Sequence, residues 1–579
     1  EATLPVVSIE LISWLASYYP APLGSITELF TPSGSMPKKD QIIDDKLAGA
    51  AKIKELPGLT TEQKRVMDKL AGESTVMLHG DTGTGKTRVY VELAKQAYEA
   101  GKSSIVLTPE IGLTAQLINT FREVFGNNVY TVNSHMTPAE RRQIWFELAL
   151  KKSPVIVIGP RSALFVPVNN IGFVAMDEAH DTAYKQEQSP YYQTSRVASR
   201  LAHLHKALFV MGTATPNITD YFAFKQKGLP ILRMTEQAKT TKHITEHIVV
   251  DQRDRSSFSR SPWVADELLK SIEAAININE QSLLFLNRRG SARLVMCEAC
   301  GWAAHCPNCD TNLTYHQDKH IMRCHSCDYE GKVPTSCPDC GKSELVFKSI
   351  GTKALETELG RLLPGARISR FDRDNTKQES IGKQYTKVAN GDTDIIIGTQ
   401  TIAKGFDLPN LSVVGVIQAD SGLQIPDFTA SERTYQLISQ VSGRVGRGYR
   451  PGKLFIQTFK PDNSLIKFAL NRDYASFYEH ELVERKKYFF PPYVFLLKIS
   501  VSRASSAGAK RAAESIVDGL RANHQKIRIE GPTPRFIEKL AGKYNWHIIV
   551  KTTSRNRLLN VIGSLPQTCT YNIDPNDLL

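Results

Sequence analysis

The chain has no run of 18 or more apolar residues, which excludes a membrane-spanning helix of ordinary length. Its N-terminus lacks the basic-then-apolar pattern of a secretory signal. No tandem repeat is visible beyond two similar sheet regions and a set of paired cysteines. Cysteine is almost absent outside one stretch: eight of nine lie between Cys297 and Cys340, and Cys569 stands alone. An even count in a secreted protein reads as disulfides, but in an intracellular protein this clustering reads as metal ligation. Acidic residues are outnumbered, 59 against 72 basic ones, for a formal net charge of +13. That excess favours a polyanionic partner, most commonly nucleic acid, although charge alone also fits a merely basic protein. The hydrophobic share of 41% is enough for ordinary globular cores, and the length predicts about three to five domains.

What is present is a phosphate-binding loop. Gly80-Asp81-Thr82-Gly83-Thr84-Gly85-Lys86-Thr87 fits G-x-x-x-x-G-K-T, between an apolar strand and a helix that begins near Lys86. The glycines let backbone N–H groups close around phosphates, Lys86 reaches the β/γ-phosphates, and the Thr87 hydroxyl is suited to Mg²⁺. Upstream, Gln63 either reads an adenine edge or is a solvated residue after a helix N-cap. Asp177-Glu178-Ala179-His180 follows the apolar run Ile171–Met176, which reads as a buried parallel strand. Asp177 is placed to hold the metal and Glu178 to orient the attacking water. Together the two motifs predict hydrolysis of a nucleoside triphosphate, with ATP and Mg²⁺ as cofactors. Gly212-Thr213-Ala214-Thr215-Pro216 ends a further strand and is suited to couple that site to a moving partner.

A second α/β series carries Gln440–Gly448, where Arg444 and Arg447 fall on one helical face. Guanidinium groups suit the charge that develops on a transferring phosphoryl. Thr399 sits at another strand end and offers a donor to a phosphate backbone, while Gly405 and Asp407 face the nucleotide, Asp407 toward its ribose. Alternating strands and helices predict a multidomain α/β protein: two RecA-like parallel-sheet lobes, a two-zinc module of eight cysteines inserted in lobe 2, and a small α+β C-terminal domain. The expected limits are 1–58 for an N-terminal segment and linker and 59–235 for lobe 1. Residues 236–296 form a linker and the start of lobe 2, with 235–261 strandless; 297–345 form the zinc module, 346–490 the rest of lobe 2, and 491–579 the C-terminal domain.

The cysteines form four C-x-x-C units, each supplying two thiolates to a tetrahedral Zn²⁺, so four units make two sites with three possible pairings. Five residues separate the first and second units and fourteen the second and third. The spacing favours nesting: Cys297, Cys300, Cys337 and Cys340 on one metal, Cys306, Cys309, Cys324 and Cys327 on the other. All-thiolate sites leave no open catalytic position. After the acidic box, Tyr184, Lys185, Tyr191, Tyr192 and Arg196 interleave aromatic and basic groups, which suits stacking on single-stranded nucleic acid; the alternative is a turn with partly buried tyrosines. Arg161, Lys543 and Trp546 are further candidate contacts.

The order of these motifs resembles superfamily 2 helicases, and closer signatures resemble the primosomal protein N′ family of bacterial replication-restart helicases. Those signatures are Thr108–Gln116, Gly159–Phe165, Asp181–Gln186, Leu284–Gly290, Cys297–Cys340 and Asp473–Tyr478, so the match runs from about Leu59 to the end of the chain. The resemblance implies an ATP-dependent 3′→5′ DNA helicase that remodels stalled or abandoned forks. It implies the same nested zinc pairs, and an aromatic-rich loop that couples DNA to hydrolysis. It also implies single-stranded and forked DNA, single-strand-binding protein, other primosome proteins and the replicative helicase or its loader as partners. A monomer in the bacterial cytoplasm, associated with the nucleoid at forks, is expected. The chain departs from the family at Ala179, where a glutamate is usual, and at Asn545, where an arginine is usual. The family's 3′-end-binding and winged-helix domains have no evident counterpart; residues 1–30 resemble the stretch that follows the first. Competing expectations are an RNA helicase or double-strand translocase, and a scaffold that has lost hydrolysis.

Overall fold

The computed structural model describes residues 3–32, 57–109, 114–133, 136–238, 245–286, 295–297, 299–308, 312–316, 320–324, 329–343, 345–346, 351–371, 387–399, 408, 410–445 and 451–579. It is a multidomain α/β protein that divides into two compact units, Glu1–Ala238 and Lys239–Leu579.

The first unit is built on seven parallel strands: β1 (Thr75–Gly80), β2 (Ser103–Leu107), β3 (Val129–Thr131), β4 (Ile156–Gly159), β5 (Ile171–Met176), β6 (Leu208–Thr213) and β7 (Ile231–Met234). Their order is β3-β4-β2-β5-β6-β1-β7. The central strands are near-continuous apolar runs because helices cover both faces. Val76, Leu78, Val106, Ile158, Ala175 and Val210 share one core with Val89, Tyr90 and Leu93 of the helix Lys86–Glu99. The sheet brings the ends of β1, β5 and β6 side by side, so the three motifs that follow them share one edge. Ligands of open α/β sheets bind at that edge.

Residues 3–32 belong to this unit. The helix Val6–Tyr18 and the turn after it bury Leu11, Leu15, Tyr19, Ile26 and Phe30. Trp145 Nε1 donates to the Phe30 carbonyl at 2.7 Å, and the Phe30 ring meets Phe165 edge-on.

The second unit carries six parallel strands: β8 (Thr245–Asp251), β9 (Gln281–Phe285), β15 (Ile368–Phe371), β16 (Ile395–Gly398), β17 (Leu411–Val416) and β18 (Gly452–Thr458). Their order is β15-β16-β9-β17-β18-β8. The strandless linker expected over 235–261 is therefore corrected: β8 lies in it and pairs with β18 at the sheet edge. Its polar residues, Thr245, Glu246 and His247, mask the strand because an edge needs less burial. Between β9 and β15 sit the short antiparallel strands β10 (Met296–Cys297), β11 (Thr314–His316), β12 (Ile321–Arg323), β13 (Glu330–Lys332) and β14 (Leu345–Val346). The chain ends in a four-stranded antiparallel sheet formed by β19 (Phe495–Arg503), β20 (Arg528–Leu540), β21 (Lys543–Thr552) and β22 (Thr570–Ile573), in the order β20-β21-β19-β22. The helices Ser506–Asn523 and Arg555–Gly563 pack on it.

Candidate active site and metal centre

The loop from Gly80 to Lys86 turns back on itself through left-handed Gly83 (φ 88°) and Gly85 (φ 81°). Glycine is the residue that reaches such angles without strain. At Gly85 there is also no room: a Cβ would lie 2.4 Å from Gln63 Nε2. Lys86 is buried, and its Nζ donates to the carbonyls of Gly80 (2.7 Å) and Asp81 (3.3 Å). Both partners are neutral, so the ammonium brings its full charge to any phosphate in the loop. Asp81 pairs with Arg233 at 2.7 Å, and Thr84 Oγ1 donates to the Asp81 carbonyl at 2.9 Å. Thr82 and Gly83 lie at the loop's tip, where the Gly83 carbonyl accepts from Ala238 N at 3.0 Å. Thr87 follows Lys86 in the first helical turn and is half-buried.

Gln63 is buried and engaged at both ends of its amide. Its Oε1 accepts from Thr60 N, closing a reciprocal cap with Thr60, and its Nε2 donates to the Thr84 and Gly85 carbonyls. The solvated-glutamine alternative is thereby corrected.

Asp177 leaves β5 beside this loop. Its carboxyl is pushed up from the usual carboxylate range by burial and then by Glu178, against the pull of Lys86 and Tyr90. The Tyr90 hydroxyl donates to Asp177 Oδ1 at 3.1 Å, and the Tyr184 hydroxyl donates to the Asp177 carbonyl at 2.6 Å. Burial and the neighbouring carboxylates hold both phenols well above their usual titration range, so they stay donors. Glu178 has left-handed φ (46°), a local backbone strain, and its side chain is half-exposed. His180 Nδ1 lies 2.8 Å from Thr213 Oγ1 and 3.5 Å from Glu178 Oε2. Ala179 N donates to the Gly212 carbonyl at 2.9 Å, so the acidic box and the Gly212–Pro216 turn are tied by backbone and side chain. His79, the last residue but one of β1, donates from Nε2 to the Ala214 carbonyl at 3.2 Å; burial, then Arg233, pushes its pKa down to about 3.

The candidate nucleic-acid contacts divide. Tyr184, Lys185 and Tyr192 are inside the unit, with exposures of 2%, 1% and 1%. Lys185 Nζ donates to the Tyr191 carbonyl at 2.6 Å and sits 6.0 Å from the Tyr19 ring. The expected stacking platform is thus corrected to the alternative of buried tyrosines, because in this structure neither ring of Tyr184 or Tyr192 faces solvent. Tyr191 is half-buried, and Arg196 reaches Asp220 at 3.8 Å. Arg161 braces the same segment, with Nε donating to Gln186 Oε1 at 2.8 Å and a further bond to the Ala183 carbonyl. In the second unit Lys543 is exposed, whereas Trp546 is 6% exposed and faces inward. Asn545 Nδ2 donates to the Glu538 and Lys543 carbonyls, so this side chain pins the β20–β21 hairpin. Thr399 is buried at the end of β16, and Arg444 is half-buried just past the helix Ala430–Ser442. Gly405, Asp407 and Arg447 lie outside the described residues.

Cys297, Cys300, Cys337 and Cys340 converge, all four Sγ atoms lying within 4.8 Å of one another. Sγ of Cys297 is 3.6 Å from Cys340, and Sγ of Cys300 is 3.5 Å from Cys337. A Zn–S distance of about 2.3 Å gives a tetrahedron edge of about 3.8 Å, so the set fits one zinc. Each knuckle closes the same way: Gly301 N donates to the Cys297 carbonyl and Gly341 N to the Cys337 carbonyl. Both glycines have positive φ. Cys306 and Cys324 are buried in one small cluster with Ala304, Leu313 and Met322. Cys309 and Cys327, needed for the second set, lie outside the described residues.

Sequence reasoning missed Tyr90 and His79. Tyr90 stands four residues after Lys86, one helical turn on, which was the available signal that it faces the same edge.

Four family models match the chain: DEAD/DEAH box helicase at residues 60–223, the PriA DNA helicase Cys-rich region domain at 306–332, the helicase conserved C-terminal domain at 341–449 and the primosomal protein N C-terminal domain at 486–571. The replication restart protein PriA of Bacillus subtilis is 37% identical over 515 residues, 88% of this chain and 64% of that protein. The protein of the same name from Chlamydia trachomatis is 38% identical over 431 residues, 73% of this chain and 57% of its own length. That of Rickettsia conorii is 34% identical over 575 residues, 98% of this chain and 88% of the relative.

Proposed function

Because this chain belongs to the replication restart protein PriA family, we propose that it is an ATP-driven 3′→5′ DNA helicase that remodels stalled forks so that replication can resume. The observation that carries the reading is the shared sheet edge, where buried Lys86, with neutral carbonyl partners, lies beside the Asp177–Glu178 pair. Lys86 and the loop amides take the triphosphate, and Glu178, half-exposed, takes the proton of the attacking water. Thr87 and Asp177 are the oxygen donors for Mg²⁺, which when bound neutralises phosphate charge. Arg444 and Arg447 supply guanidinium groups to the transferring phosphoryl. Gly405 and Asp407 are assigned to nucleotide binding.

The cysteine module takes two zinc ions in the nested pairs, and their part is structural, since thiolates fill every position. Single-stranded and forked DNA are the nucleic-acid partners, met by Tyr191, Arg196, Arg161, Thr399 and Lys543. Single-strand-binding protein, primosome proteins and the replicative helicase or its loader are the protein partners, at forks in the bacterial cytoplasm.

The test is ATP hydrolysis without nucleic acid and with single-stranded DNA, forked DNA and RNA, beside Lys86→Ala. Stimulation by DNA that exceeds stimulation by RNA and disappears in the variant is the expected result. Turnover retained in Lys86→Ala would remove the assignment, and stimulation by RNA alone would make the chain an RNA motor. Unwinding of partial duplexes with opposite single-stranded tails reads the polarity.

A further inference from the structure

Asp177 is held from two sides by hydroxyl groups that belong to different elements. Tyr90, on the P-loop helix Lys86–Glu99, bonds the carboxylate oxygen Oδ1 at 3.1 Å. Tyr184, seven residues beyond Asp177, bonds its backbone carbonyl at 2.6 Å. Both rings are buried, Tyr90 at 0% and Tyr184 at 2% exposure, so neither hydroxyl has water as an easy substitute partner. Each tyrosine is fixed in turn. Tyr90 stands against Gly212, where a Cβ would fall 1.6 Å from its Oη. Tyr184 offers its carbonyl to Thr194 Oγ1 at 2.5 Å, at the first turn of the helix Thr194–His205. Ala183, which lies between Asp181 and Tyr184, receives the Arg161 guanidinium on its carbonyl.

We propose that Tyr90 and Tyr184 are positioning residues of the ATP site, a two-point clamp that sets the Asp177 carboxylate against the phosphate loop. The proposal rests on the ATP-driven function above and extends it. Tyr90 fixes the carboxylate's rotation about its side-chain bonds and ties it to the same helix that starts at Lys86, so the lysine and the carboxylate move as one piece. Tyr184 fixes the height of the backbone from which that carboxylate projects. A carboxylate without these partners keeps its charge but not its aim, and losing a partner of this kind costs about 10- to 100-fold in metal affinity or activity. In this place Tyr184 is an internal strut, which accounts for its burial where a stacking residue would be exposed.

The experiment compares Tyr90→Phe and Tyr184→Phe, which remove one hydroxyl each and leave the rings to fill the core. Two measurements are made on each variant of the 579-residue chain: steady-state ATP hydrolysis with single-stranded DNA, and binding of a fluorescent ADP across a magnesium titration. Thermal unfolding reports that each variant is folded. For Tyr90→Phe we expect kcat to fall about 10-fold or more. Nucleotide binding without magnesium stays unchanged, and the magnesium concentration for half-maximal binding rises. Tyr184→Phe shows the same pattern. A purely structural role would lower the unfolding temperature and leave the magnesium midpoint and kcat in place, and that result overturns the clamp. If the unaltered chain hydrolyses no ATP, the function proposed above fails by itself. The magnesium dependence of ADP binding still decides the clamp.

Discussion

Gly212 leaves room for the hydroxyl of Tyr90: a Cβ at Gly212 would lie 1.6 Å from Tyr90 Oη and 2.8 Å from Cζ. The glycine of the Gly212–Pro216 turn is therefore needed by a tyrosine on the helix after the phosphate loop. Gly212→Ala must push the ring aside, and overpacking of this kind costs about 1–3 kcal/mol. In a Tyr90→Phe background the closest clash is gone, so the same substitution should cost less. A double-mutant cycle by urea unfolding measures the difference. Equal costs in both backgrounds would mean that the two residues do not share this space.

The parallel sheets were legible because their central strands are continuous apolar runs. The apolar stretches in β1, β4, β17 and β18 are buried almost throughout. What escaped was edge structure. β8 is interrupted by Glu246 and His247, and β3 and β7 are only three and four residues long. The tight turn over residues 80–87 was legible because one short segment carries the glycines that it needs. Burial was not. Tyr184, Lys185 and Tyr192 alternate like a nucleic-acid loop, and only packing shows that Lys185 ends on the Tyr191 carbonyl. The Tyr90–Asp177 pair spans 87 positions, beyond any local pattern.

Zinc removal should act unevenly. Cys300→Ser takes one thiolate from the set Cys297, Cys300, Cys337 and Cys340. Metal analysis of the purified variant should show about one equivalent of zinc lost per chain, as expected when one tetrahedral site opens. Loss of no zinc would contradict the convergence of these four sulfurs on a metal.

His79 makes stability depend on pH. Its pKa is pushed down to about 3 from the usual 6.5, first by burial. The folded state therefore refuses a proton that the unfolded chain accepts between those values. The stabilising contribution is complete above pH 6.5 and is lost as pH falls toward 3. The full span is about 4–5 kcal/mol at 1.36 kcal/mol per pKa unit. His79→Gln keeps a donor near the Ala214 carbonyl but does not titrate. The difference in unfolding temperature between the parent chain and this variant should move against the parent as pH drops from 7 to 4.5. Parallel curves would show that His79 is solvated.

Arg485 concentrates charge in the second unit. It is 2% exposed, reaches Glu432 at 2.7 Å and Glu481 at 2.9 Å, and donates to the Pro491 carbonyl at 3.1 Å. Glu432 is on the helix that leads to Arg444, and Glu481 is on the helix Tyr474–Lys487, so one guanidinium ties the two helices together. Burial already pushes the Glu481 carboxyl up, with Arg485 opposing. Arg485→Met takes the guanidinium away from two buried carboxylates, and breaking a buried pair in this way costs about 3–5 kcal/mol. With the opposing guanidinium gone, burial holds the Glu481 carboxyl further above its unfolded value. Stability from the neutral form of Glu481 is present at low pH and lost as pH rises through the raised value. The deficit of Arg485→Met should therefore be larger at pH 8 than at pH 5. Adding Glu432→Gln removes one of the stranded charges and should recover part of the loss. Urea unfolding of the single and double variants at both pH values checks this; a deficit independent of pH would mean that water reaches the carboxylates and the ion pairs contribute little.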